Sequence, residues 1–130
     1  MPCVVDASVV VDLLLGGQRG RAVKLAVDGR EMVAPDLVNM ETLSALRRLM
    51  AAAAMPEDRA SQAVADLQLL PLDRVSTTHL IADAWALRKN LTPYDASYIS
   101  LARALGCELL TADRRLAGAP NLGARVVIVP

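Results

Sequence analysis

The chain has 130 residues, a hydrophobic fraction of 54% and 14 basic side chains balanced by 14 acidic ones. That is enough apolar material for one domain whose core needs no disulfide or structural metal, and it excludes disorder. Zero net charge and an aromatic content of 2% exclude a global basic field for nucleic acid and a stacking platform of the kind single-strand binders use.

In chain order, residues 3–5 form a short apolar strand ending at Asp6. Residues 7–15 continue as a largely buried helix, although the valines at 9–11 are poor helix formers and a strand is the alternative. Gly16-Gly17 stops it. A second helix covers 19–27 and ends at Asp28-Gly29, and a second strand covers 31–34. Pro35-Asp36 opens a long helix over 37–53, with Leu43, Leu46, Leu49, Met50 and Ala53 on one stripe. Pro56 begins a helix to about residue 69. Residues 70–75 read as a third strand, and Ser76 as the cap of a helix through Lys89.

The most informative stretch spans 92–113, a helix and then a strand with an acid near each end. Thr92 is a good N-cap, Pro93 suits the first helical position, and Asp95 completes a T-x-x-D capping box. Tyr94, Tyr98, Leu101 and Leu105 give the helix an apolar face, and Gly106 ends it. Residues 107–110 form a fourth strand, buried on both faces, followed by Thr111 and Asp113. A turn-rich segment with Gly118, Pro120, Asn121 and Gly123 leads to a last strand over 126–129.

Strands alternating with helices define an α/β fold: one domain over residues 1–130, with a mainly parallel central sheet of four to five strands. Right-handed crossovers with one reversal of strand order place the first and fourth strands side by side, so ligands would bind at their C-terminal ends. Asp6 and Asp113 lie there. Glu41, near the start of the helix after strand two, faces the same end, and Asp95 in the first turn of its helix can point over it. Each acid alone has a structural explanation as a cap or loop residue. Glu41 is hardest to explain so, because Ser44 and Ala45 at i+3 and i+4 offer no ion pair.

Four carboxylates converging on one edge repel at about 4 kcal/mol per pair at about 4 Å and an effective dielectric near 20. Protonation or a cation must offset that. With no histidine or cysteine at hand, an all-oxygen site suits Mg²⁺ or Mn²⁺ rather than zinc, and such ions support phosphodiester hydrolysis. His79, the only histidine, reads as a polar residue near a helix start. Cys3 and Cys107 read as reduced, small apolar side chains in buried strands of a cytoplasmic protein. No secretory leader or membrane-spanning run is read.

Three segments carry a family resemblance: VVDASVVVDLLL with Asp6 and Ser8, APDLVNMETLSALRR with Glu41, and TPYDASYISLARALGCELLTADRRL with Asp95, Thr111 and Asp113. The chain resembles a PIN-domain ribonuclease, and specifically the toxin component of a VapBC toxin–antitoxin pair. It departs at Ser44, where the family pattern E-x-x-N-x-L places an amide. The resemblance implies that Asp6, Glu41, Asp95 and Asp113 are catalytic and hold one or two Mg²⁺ or Mn²⁺ ions. The implied reaction is RNA hydrolysis to a 5′-phosphate and a 3′-hydroxyl, on a structured target such as tRNA or rRNA, so that translation stops. Ser8 and Thr111 would orient the carboxylates or a bound water. Arg114 and Arg115 have two readings of equal weight, grips for RNA phosphates or simply an exposed helix face; Arg47 and Arg48 fit folding or partner contact better.

Also implied are a cognate antitoxin that obstructs the acidic pocket, with an arginine as its natural inhibitor, and a homodimer. The helices between residues 19 and 69 are the candidate contact surfaces. A haloacid dehalogenase phosphatase would need D-x-D where Asp6-Ala7-Ser8 stands. A receiver domain would need a lysine late in the chain, and none follows Lys89. The remaining alternative is a PIN-like module that binds protein or RNA without turnover.

Overall fold

A computed structural model describes residues 1–119 and 122–130. The expected turn residues Pro120 and Asn121 lie outside the described residues. In chain order the elements are β1 (Pro2–Val5), α1 (Ala7–Leu15), α2 (Gly17–Val27), β2 (Glu31–Pro35), α3 (Val38–Ala51) and α4 (Glu57–Leu69). There follow β3 (Leu72–Val75), a 3-10 turn (Thr78–Leu80), α5 (Ile81–Ala86), α6 (Pro93–Leu105), β4 (Leu109–Thr111), α7 (Arg114–Ala117) and β5 (Val126–Ile128).

The five strands form one sheet in the order β3-β2-β1-β4-β5, and every neighbouring pair is parallel. β1 and β4 are adjacent, with Val4 opposite Leu109 and Val5 opposite Leu110. The strand order reverses between them, which is where an open parallel sheet leaves a crevice beyond its strand ends. Cys3, Val4, Val5, Leu109 and Leu110 are fully or almost fully buried, as expected for strands covered on both faces.

Residues 7–15 are helical despite their valines. Val9, Val10, Val11 and Leu14 of α1 are buried, so tertiary burial outweighs the few tenths of a kcal/mol that β-branching costs per residue. Gly16 and Gly17 both take positive φ, 74° and 69°, in the turn to α2. The two helices then approach closely at Gly20, where a Cβ would stand 2.8 Å from the Asp12 carbonyl oxygen. Arg59 of α4 donates to the Leu14 and Leu15 carbonyl oxygens, both at 3.0 Å, which closes the C-terminal end of α1 with a cation.

Several expectations need correction. The segment after Ser76 is a 3-10 turn and then a helix ending at Ala86, shorter than a helix through Lys89. Ser76 Oγ accepts from the Thr78 N–H in a local turn instead of capping a long helix. β4 begins at Leu109 and includes Thr111, and Cys107 is only half-buried before it. Tyr94 and Leu105 are exposed, so the buried face of α6 is carried by Tyr98, Ile99, Leu101 and Ala102. On α3 the stripe is buried at Leu46 alone, with Met50 exposed. Thr92, Pro93 and Gly106 do bound α6 as expected: Thr92 is the N-cap, proline opens the first turn, and Gly106 is left-handed at φ 64°. Among the described residues, no helix is long and apolar enough to cross a membrane.

Candidate active site

Asp6 follows β1 directly and is the N-cap of α1, its Oδ1 accepting from the Val9 N–H at 3.2 Å. Two hydroxyls complete its surroundings. Ser8 Oγ donates to Oδ1 at 2.5 Å, and Thr111 Oγ1, from neighbouring β4, donates to Oδ2. Each hydroxyl also accepts from the backbone just past β4: Ser8 from the Ala112 N–H and Thr111 from the Asp113 N–H, both at 2.9 Å. The adjacency of β1 and β4 thus creates a stitched seam with a carboxylate at its centre. Asp6 is 8% exposed. Burial pushes its carboxyl up from the ordinary value, the Ser8, Thr111 and Val9 hydrogen bonds pull it back, and the Asp113 charge pushes it up again.

Glu41 lies in the first turn of α3 and accepts from the Tyr98 hydroxyl of α6 at 2.5 Å. Its carboxyl is raised, first by burial and then by the charges of Asp95 and Asp6, against lowering by Tyr98 and Arg48. Asp95, in the first turn of α6, is raised by burial and by Asp113. Its N–H donates to Thr92 Oγ1 at 3.2 Å, one half of the capping box, which leaves the carboxylate turned to other uses. Asp113 is the exception. Arg115 grips it through Nε at 3.2 Å and Nη2 at 2.8 Å, and holds its carboxyl below the ordinary value.

The four acids therefore form a closed circuit of repulsion: Glu41 with Asp6 and Asp95, and Asp113 with Asp6 and Asp95. All four stand at one end of the sheet. The all-oxygen donor set fits a hard divalent cation, although Arg115 already offsets the charge of Asp113 and Arg48 part of that of Glu41. Yet among the described residues no group of three or more His, Cys, Asp or Glu is gathered closely enough to hold one.

A cleft of about 580 Å³ opens beside this edge, lined by Ser8, Asp12, Arg19, Glu41, Arg48 and Tyr94 among others. Arg114 is exposed beyond it, and Arg115 is occupied by Asp113. Tyr98 and Arg48 are the residues that sequence reasoning under-read. Tyr98 was legible as core, but a buried tyrosine also has to place its hydroxyl. Arg48 lies at i+7 from Glu41, on the same helix face two turns on, outside the i+3 and i+4 positions where helical ion pairs form.

Residues 3–122 match the family model described as PIN domain. This chain belongs to the PIN-domain family. Among curated relatives, this PIN domain is 41% identical to "Ribonuclease VapC1" of Mycobacterium tuberculosis, over 98% of this chain and 97% of that protein. Among solved structures it resembles VapBC2 from Rickettsia felis bound to a promoter DNA fragment, with a TM-score of 0.71, 13% identity and full coverage of both chains. It also resembles Mycobacterium tuberculosis VapC20, described as a sarcin–ricin loop cleaving toxin, with a TM-score of 0.62 and 22% identity over 90% of this chain and 95% of that one. At those identities the structural likenesses speak to the PIN fold alone.

Proposed function

We propose that this PIN domain, over residues 1–130, is an Mg²⁺- or Mn²⁺-dependent endoribonuclease that acts as the toxin of a toxin–antitoxin pair in the cytoplasm. The observation that supports this most is the circuit of four carboxylates at the strand-order reversal, three of them raised by burial and mutual repulsion. Full-length kinship to a protein named a ribonuclease supports the substrate class.

Asp6, Glu41, Asp95 and Asp113 would hold the cation. When bound, it supplies Lewis acidity toward phosphate oxygens and lowers the pKa of water. The chain's own part is preorganisation. Ser8 and Thr111 fix both oxygens of Asp6, and Tyr98 fixes Glu41. Raised carboxyls can accept and return a proton nearer neutral pH than free aspartate can. Arg19 and Arg48 supply positive charge in the cleft for the RNA backbone, and Arg114 does so at its margin.

A cognate antitoxin would cover the acidic edge, and an arginine inserted there would act on Asp6 or Asp95 as Arg115 already acts on Asp113. Leu25 on α2, Met40 on α3 and Leu69 on α4 expose apolar surface for that chain or for a homodimer.

Chain expressed without antitoxin should cut RNA with Mg²⁺ or Mn²⁺, and mapping of RNA 5′ ends should reveal the target. Asp6→Asn and Asp95→Asn should abolish cutting while the fold persists by circular dichroism. Failure of the wild-type chain to cut any RNA with either ion would leave a binding module in place of the enzyme.

A further inference from the structure

The chain has three aromatic side chains, one tryptophan and two tyrosines. Tyr98 is buried beneath Glu41. The other two, Trp85 at 64% and Tyr94 at 61% exposure, line the same groove of about 370 Å³ between α5 and the start of α6. Both exposed rings of an aromatic-poor protein are thus gathered in one place. Leu80, Ile81 and Ala84 add apolar lining. Arg88 stands over the indole at 4.8 Å and is the only charged side chain in the lining. The acids of the neighbouring site do not reach into it.

Tyr94 also lines the cleft that holds Glu41, and it immediately precedes Asp95. Cleft and groove therefore meet at one ring. A phosphate held beside Glu41 in that cleft would leave the adjacent nucleotide next to Tyr94.

We propose that this groove is a base subsite: an unpaired nucleobase flanking the scissile phosphate stacks on Trp85 and Tyr94, with Arg88 facing the RNA backbone. The inference rests on the ribonuclease reading and adds to it the demand for an unstacked nucleotide beside the cut. Flat rings, an apolar lining and a lone cation match a base and its phosphate. The composition argued only against an extended stacking platform, and a single-base clamp needs just these two rings.

Trp85 is the only tryptophan, so its fluorescence reports on the groove directly. Full-length protein is titrated in EDTA, which prevents cleavage, with short single-stranded RNA; anisotropy of a labelled RNA reports binding independently. Trp85 emission should be quenched along the binding isotherm. Trp85→Ala should weaken binding about 5- to 150-fold, the range for loss of one stacked base, while Trp85→Phe retains most of it.

Bound RNA with unchanged Trp85 emission overturns the proposal, as does undiminished affinity in Trp85→Ala. A wild-type dimer that Trp85→Ala dissociates with no change in RNA affinity per chain also overturns it, because a second copy would then fill the groove. Cleavage of the same RNA with Mg²⁺ or Mn²⁺ separates the two failures. Cleavage with a silent Trp85 removes the base subsite alone, whereas neither binding nor cleavage removes the ribonuclease reading as well.

Discussion

Tyr98→Phe removes one oxygen from a ring that is 1% exposed and leaves its packing in place. What it deletes is the 2.5 Å hydrogen bond to Glu41 Oε1. A hydrogen bond to a charged group contributes about 1.5–3 kcal/mol net. Glu41 is only half-buried and can recruit water, so the lower end applies, about 1.5 kcal/mol. For a domain of 130 residues that corresponds to a fall in Tm of about 5 °C. The functional effect has a defined sign. The hydroxyl favours the ionised carboxylate, so its loss raises the Glu41 carboxyl further. The acid limb of the RNA-cleavage pH profile should therefore move to higher pH, and half-maximal activity should need more divalent ion. Differential scanning fluorimetry and cleavage rates across pH measure both. Unchanged Tm with superimposable pH profiles would refute the reasoning, and lower Tm with an unmoved profile would make Tyr98 purely structural.

Glu41→Gln should stabilise the protein in EDTA. A carboxyl raised by folding contributes stability that is present below its unfolded pKa and lost as pH rises through the folded one, so the wild type is weakened at neutral pH and the amide is not. The gain should show as a higher Tm at pH 7 that disappears at acid pH, where both side chains are neutral, and that saturating Mg²⁺ inverts. Thr111→Val keeps the shape of a fully buried residue but orphans the Asp113 N–H and takes a donor from Asp6; urea unfolding should show a loss of about 2–4 kcal/mol. Gly20→Ala drives a methyl to 2.8 Å from the Asp12 carbonyl oxygen and should cost about 1–3 kcal/mol, despite alanine's better helix propensity.

Much of this was readable in the chain. The cap, proline and terminal glycine of α6 are local signals, and local signals need no partner to act. The adjacency of β1 and β4 followed from connection rules. Asp6 and Asp113 do serve as caps and Asp95 lies in a capping turn, so the structural reading of each holds and leaves room for the proposed one. What sequence could not provide was anything decided across elements. Nothing near Tyr98 announces Glu41, 57 positions away, and nothing near Trp85 announces that α5 breaks early and leaves its ring in the open. The grip of Arg115 on Asp113 is local, yet two adjacent arginines in an exposed turn leave open which one folds back.

The seam between β1 and β4 has a dynamic corollary. Asp6 is tied to β1 and β4, two inner strands of the sheet, whereas Asp113 caps the four-residue α7 beyond β4. Amides of Val9 and Asp113, both shielded by the seam, should exchange with deuterium only when the whole domain opens, whereas those of Arg115 and Leu116 exchange through local fraying. One acid is anchored like masonry and another hangs like a gate, so under the proposed metal reading the adjustment to an ion would fall to the gate.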